Sequence, residues 1–190
     1  MKNIGVVGCL PELPSEFPLY MPENSGNMIH AIAPLLMFEN AVHSKNPIFK
    51  ITGEKSFRSY VNNTCSHVII TLANTLKVGC DNNEKYLRLR KSLEQYNVPI
   101  IVFGLGIQDI ERDLSKATLC EEAIKLIQFL SKSAVMLGVR GEYTKKVIEK
   151  CCNVQNVFVT GCPSLFSDVE GLKLLHRNLQ NNISGKPAIN

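Results

Sequence analysis

Five short runs along the chain are apolar at almost every position: Asn3–Cys9, His67–Leu72, Val98–Phe103, Ala134–Val139 and Val157–Val159. A strand with one wet face alternates apolar and polar residues, whereas a continuous run marks a strand buried on both faces. Segments of helical period lie between these runs. Over Glu84–Tyr96, the residues Tyr86, Leu89, Leu93 and Tyr96 share a face opposite Arg88, Lys91 and Glu94. Over Leu119–Lys132, the stripe is Leu119, Ala123, Leu126, Ile127 and Leu130. After Arg140, the residues Tyr143, Val147, Ile148 and Cys151 face one way and Lys145, Lys146 and Glu149 the other. Two further helices are predicted, over Met28–Val42 with Pro34 inside it, and over Leu165–Leu179 with Leu165, Val169, Leu172 and Leu179 turned inward. Pro47–Ile51 reads as a short strand, and Leu10–Asn27, with four prolines, as a long loop. Strands alternating with helices predict a Rossmann-like α/β fold, a mainly parallel sheet with helices on both faces. Residues 1–180 form one such domain, and 181–190 a polar tail or the start of a linker to a second domain.

In a parallel sheet all strands end on the same side, and the turns that follow them line the ligand crevice. The candidate site residues are those in these turns. Arg140 follows the fourth run, and its guanidinium offers a planar fork of donors that matches a phosphate or carboxylate. The competing reading pairs it structurally with an acid such as Glu142. Gly161, Cys162, Pro163 and Ser164 follow the fifth run. Ser164 suits the N-cap of a helix starting at Leu165, whose free amides can hold an anion. An ordinary strand-to-helix turn with a capping serine is the alternative. Cys162 has no histidine patterned to it and reads as a thiol packed under the turn, not as a nucleophile. Gly104, Gly106 and Gln108 follow the third run, with Asp109 where a dinucleotide fingerprint would place its third glycine. The glycines therefore read as room for a ligand or for tight packing, and Gln108 as a contact. Asn74 ends the second run in the same layer. Asn24, Gly26 and Asn27 precede the first helix, where side chains and amides can meet sugar hydroxyls or phosphate, or simply form a turn. His30, His43, His67 and His176 are scattered and read as surface or helix histidines.

Composition narrows the partners. Lysine and arginine total 21 against 17 acids, a net charge of +4, with no basic block and no interleaved aromatics. Nucleic acid is excluded as the expected partner, and a small anionic substrate is compatible. The seven cysteines are odd in number and show no metal-ligand spacing, so reduced thiols and no metal are expected. No apolar run reaches membrane-spanning length, and the one before Val6-Val7-Gly8-Cys9 is too short for a signal peptide.

Two motifs, VRGEYT at 139–144 and VTGCPSLF at 159–166, resemble the polysaccharide pyruvyl transferase family. NSGNMIHA at 24–31 and VPIIVFGLGIQ at 98–108 extend the similarity over nearly the whole chain. The resemblance implies one Rossmann-like half of a GT-B-like enzyme, with the second half expected beyond the TGCPS turn. It implies transfer of a pyruvyl unit from phosphoenolpyruvate, the donor substrate, to a saccharide or lipid-linked glycan. The product is a pyruvate ketal in exopolysaccharide or cell-wall glycan biosynthesis, and no cofactor is needed. The implied location is the cytoplasm or the inner face of the membrane, and a homo-oligomer is compatible. Arg140 would hold phosphate or carboxylate, assisted by the helix start at Ser164. No residue is assigned as the general acid, because Glu142, the nearest carboxylate, sits where a helix dipole favours an acid. Two other classes stay open: a GT-B-like glycosyltransferase half that binds a sugar nucleotide, and a non-catalytic binding domain.

Overall fold

A computed structural model describes residues 2–8, 25–44, 55–168, 170, 171 and 173. The elements in order are β1 (Asn3–Gly8), α1 (Ser25–Met37), β2 (Ala41–His43), α2 (Lys55–Thr64), β3 (Cys65–Thr71) and β4 (Leu76–Lys77). They continue as α3 (Asn83–Leu93), β5 (Ile100–Leu105), β6 (Ile107–Gln108), α4 (Glu121–Ser133), β7 (Ala134–Val139), α5 (Glu142–Cys152) and β8 (Val157–Val159). A 3₁₀ turn, η1, spans Pro163–Phe166.

Six strands form one sheet in the order β2-β1-β3-β5-β7-β8, and every pairing in it is parallel. The five apolar runs form β1, β3, β5, β7 and β8; burial on both faces holds for the central strands β1, β3 and β5, whereas the edge strand β8 leaves Phe158 and Val159 exposed (55% and 41%). The order reverses direction at β1, so β1 and β3 flank a topological switch point, where ligands of open α/β sheets bind. The two layers that cover the sheet differ in size. On one face, Val68, Ile70, Ile100, Val102, Leu137 and Val139 pack against Val61 of α2, Leu89 and Leu93 of α3, Leu126 and Leu130 of α4, and Val147 and Ile148 of α5. On the other, Val6, Ile69 and Phe103 meet Leu35 of α1 and Phe166 of η1. Helices thus lie on both faces, with α1 the longest one described on the second face.

Four helix and strand expectations change. The first helix stops at Met37 instead of running to Val42, and Ala41–His43 is the edge strand β2. Pro34 has no N–H to bond the carbonyl four residues back, and the chain leaves the helix within a turn of it. A bond from Ala41 N to the Phe38 carbonyl (3.0 Å) closes the exit turn, and Ile4 N bonds Asn40 O (3.0 Å) to start the sheet pairing. Helix α2 was not expected: it is polar apart from Phe57, Tyr60 and Val61, and only Val61 is fully buried. The helix expected over Leu165–Leu179 begins as the separate turn η1, and Leu165 is 53% exposed instead of facing inward. Beyond Ser167, residues 170, 171 and 173 are helical, and Val169, the side chain of Leu172 and residues from 174 onward lie outside the described residues. The loop before α1, the strand expected at Pro47–Ile51 and the tail at 181–190 also lie outside them.

Candidate functional site

Three of the turns predicted to line the crevice are stitched into one layer by backbone hydrogen bonds. Gly106 N donates to the Ala73 carbonyl (2.9 Å), Leu76 N to the Gly106 carbonyl (3.2 Å) and Arg140 N to the Leu105 carbonyl (2.8 Å). Beyond the main sheet, β4 and β6 pair in parallel through Leu76↔Ile107 and Lys77↔Gln108. The ends of β3, β5 and β7 therefore share one rigid edge, and it fixes the backbone of Asn74, Gly106 and Arg140.

Their side chains meet there. Arg140 Nη1 donates to Asn74 Oδ1 at 3.1 Å. A Cβ on Gly106 would lie 2.2 Å from that same Oδ1 and 3.4 Å from Arg140 Cδ, so the absence of a side chain at 106 leaves the space this bond occupies. Arg140 is half-buried, and its Nε is buried without a hydrogen-bond partner. The ion pair with Glu142 is not formed: among the described residues no carboxylate lies in salt-bridge reach of Arg140. Glu142 instead opens α5, where its charge suits the helix dipole. A cation held by a neutral amide, with one donor unused and no counter-charge, is arranged to accept an anion.

Gly104 joins a second group at the same edge. Its φ is +70°, in the left-handed region that favours glycine, and a Cβ there would lie 2.2 Å from Pro163 Cδ and 3.0 Å from His30 Nε2. The end of β5, the turn before η1 and helix α1 thus meet at one point. His30 is 0% exposed, and neither ring nitrogen has a hydrogen-bond partner. Burial first, and then the nearby charge of Arg140, lower its pKa from 6.5 to about 4. The Phe103 carbonyl opposes the shift, but lies outside hydrogen-bond geometry. The ring is therefore neutral at pH 7. The sequence reading of His30 as an ordinary surface or helix histidine is corrected here: it lies on a helix but is completely buried at the sheet's carboxyl edge. The local hint was its place in the second turn of a helix that follows the first strand, since such helices start at that edge.

The remaining candidates fall as follows. Ser164 is not an N-cap: it lies inside η1, whose cap is Cys162 without a side-chain bond, and Pro163 occupies the first position. The Ser164 carbonyl accepts from Ser167 N (3.3 Å) and Ser167 Oγ (2.7 Å). A four-residue 3₁₀ turn lacks the aligned free amides of a helix start, so the anion role expected for Ser164 loses its basis. Cys162 is half-buried with its sulfur 2.9 Å from Ser164 Oγ, Pro163 is buried, and Gly161 has a φ of +80°. Gln108 is exposed in β6, away from the Arg140–Asn74 pair, and its carbonyl accepts from Val78 N at 2.9 Å. Gly26 is exposed and Asn27 half-buried in the first turn of α1, one turn before His30, while Asn24 lies outside the described residues. Asp109 is engaged by the Tyr143 hydroxyl, whose pKa is pushed up to about 12 by burial and by that hydrogen bond. The six described cysteines are free. Among the described residues no three His, Cys, Asp or Glu side chains converge as metal ligands, and no helix is long and apolar enough to cross a membrane.

A model of the polysaccharide pyruvyl transferase family matches residues 24–188. No curated protein and no solved structure matches the chain.

Proposed function

The chain belongs to the polysaccharide pyruvyl transferase family, and from that premise we propose that it transfers a pyruvyl unit from phosphoenolpyruvate to a saccharide. The reaction protonates the methylene carbon of the enol, and a sugar hydroxyl attacks the adjacent carbon. Phosphate then leaves, and a second hydroxyl closes the cyclic ketal. Atoms balance as phosphoenolpyruvate plus diol giving ketal plus inorganic phosphate. Both ends of the donor are anionic, so the chain must supply fixed positive charge and hydrogen-bond donors.

One observation carries this reading: Arg140 stands at the carboxyl edge of a parallel sheet, oriented by Asn74, with Nε unpartnered and no carboxylate paired to it. A structural arginine of this burial would be expected to have an acid beside it. In the proposed role, Arg140 binds the phosphate or carboxylate of the donor, and Asn74 fixes the plane of the guanidinium. Gly106 keeps the space for that contact, and Gly104 with Pro163 holds α1 against the edge. In the same reading Gly26 and Asn27, in the first turn of α1, are contacts for the saccharide, together with Asn24. Gly161, Cys162 and Pro163, at the turn before η1, are further substrate contacts in this reading, and Gln108, exposed in β6 apart from the Arg140–Asn74 pair, is a more distant one. No residue is assigned as general acid. The reading extends to a lipid-linked or polymer-bound acceptor handled in the cytoplasm or at the inner face of the membrane, and to a second Rossmann-like half that completes a GT-B-like cleft.

The test is product formation by the full natural protein with phosphoenolpyruvate and saccharides that offer two neighbouring hydroxyls. The expected product is an acceptor heavier by pyruvic acid less one water, with one phosphate released per ketal. Phosphate release without ketal, or binding of sugar nucleotides in place of phosphoenolpyruvate, would replace this reading by hydrolysis or by glycosyl transfer.

A further inference from the structure

Three buried nitrogens at the sheet's carboxyl edge have no hydrogen-bond partner: Nδ1 and Nε2 of His30 and Nε of Arg140. They come from elements far apart in sequence, α1 and the end of β7, and Arg140 is close enough to act on the His30 ring through its charge. Buried polar atoms are nearly always satisfied in folded proteins, so a group of three orphans in one place asks for a ligand. A water-filled or apolar role does not suit them, because one of the three belongs to a permanent cation. We propose that His30 is a ligand-contacting residue of the anion site, binding the same anion as Arg140 Nε and taking up a proton as that anion enters. The proposal rests on the donor-binding reading above and adds a second contact residue and a proton to it.

The charges around the ring make the coupling one-directional. In the free protein the ring is surrounded by apolar packing and the Arg140 cation, and both favour the neutral form. An anion placed between the imidazole and the guanidinium opposes both influences, since it offsets the arginine charge and offers the imidazolium an acceptor. On the elements packed against α1, the titratable side chains turned to the same face are His43 of β2 and His67 of β3, with Cys162 ahead of η1. Among the described residues no acid is paired to the ring. Pro163 packs at the same point on Gly104 as His30 Nε2, so the turn before η1 borders the proposed anion position.

The experiment is calorimetric titration of the full protein with phosphoenolpyruvate, inorganic phosphate and pyruvate near pH 6.5, in buffers of different ionisation enthalpy. Proton uptake approaching one per bound anion is expected for phosphoenolpyruvate. Uptake with phosphate alone assigns His30 to the phosphate end, and uptake with pyruvate alone to the carboxylate end. In wild-type protein labelled with ¹⁵N histidine, the His30 ring signals should move from neutral to imidazolium positions during the same titration, which needs no variant. His30→Gln keeps a donor but cannot charge, and should bind roughly tenfold more weakly with no uptake. Binding without uptake and without movement of the ring signals overturns the proposal. If Arg140→Ala then still abolishes binding, the anion site stands without His30. If inorganic phosphate binds with uptake but no ketal ever forms, His30 stands and the pyruvyl-transfer reading falls.

Discussion

Gly106→Ala isolates the way the sheet edge aims Arg140. The added methyl meets Asn74 Oδ1 at 2.2 Å, and to reach ordinary contact the Asn74 amide must retreat by roughly 1 Å. The Arg140–Asn74 bond, now 3.1 Å, would lengthen to about 4 Å and be lost. Gly106 does not need a left-handed backbone, so the substitution acts through this contact and not through strain. The bond joins a charged donor to a neutral acceptor on the exposed Asn74. Its loss should cost about 1–2 kcal/mol of ligand binding, a five- to thirtyfold weaker phosphoenolpyruvate affinity. Asn74→Ala removes the same bond from the other side and also vacates the space that the methyl needs. The two changes should therefore not add: the double variant should bind about as weakly as either single one, a coupling of roughly 1 kcal/mol or more. Calorimetric affinities for the four proteins of the cycle measure this. Additive losses, or a Gly106→Ala protein that binds like wild type, would refute the proposed role of Asn74 in orienting Arg140.

Other outcomes follow from the same contacts. Gly104→Ala puts a side chain on a φ of +70° and a methyl 2.2 Å from Pro163 Cδ, so urea unfolding should show a loss of about 2–4 kcal/mol. Leu130→Ala empties a site that is 0% exposed between α4 and the sheet, and should cost about 2–5 kcal/mol of stability while leaving phosphoenolpyruvate affinity within about twofold. Because the His30 pKa falls from 6.5 unfolded to about 4 folded, the unfolded chain binds the extra proton between those values. The contribution of neutral His30 is whole above pH 6.5 and is lost as pH falls toward 4, by about 2–3 kcal/mol. Unfolding free energies at several pH values should therefore diverge between wild type and His30→Gln in that window, and parallel curves would contradict the burial of a neutral ring.

The legible part of this molecule is the part fixed by burial on both faces. His67–Leu72 and Val98–Phe103 are apolar at nearly every position because they lie at the centre of the sheet, and such runs can hardly be anything else. Edge strand β2 gave no such sign, since its three residues are only half-buried. Helix α2 buries a single residue fully, so its stripe of Phe57, Tyr60 and Val61 is too thin to stand out from its polar neighbours. The site follows the same division. That Asn74, Gly106 and Arg140 lie on one edge follows from strand ends in a parallel sheet, and the spacing along the chain is enough to place them. The burial of His30 depends on the end of β5 and η1 meeting over α1, a condition set by tertiary packing and invisible in its local pattern. Ser164 fails for the opposite reason: its local signature suits an N-cap, but Pro163 and the packing of Phe166 against Phe103 (ring centroids 5.9 Å apart) hold it in a short 3₁₀ turn.

Arg140 bears the central claim, and three proteins test it most directly: wild type, Arg140→Ala and Arg140→Lys, each measured for phosphoenolpyruvate affinity and thermal midpoint. A charge-assisted hydrogen bond contributes about 1.5–3 kcal/mol, so Arg140→Ala should bind roughly ten- to a hundredfold more weakly with little change in midpoint. Arg140→Lys should recover only part of that loss, because an ammonium lacks the planar fork and cannot keep both the Asn74 bond and the ligand. Unchanged affinity together with a large fall in midpoint would make Arg140 a structural residue and contradict the account.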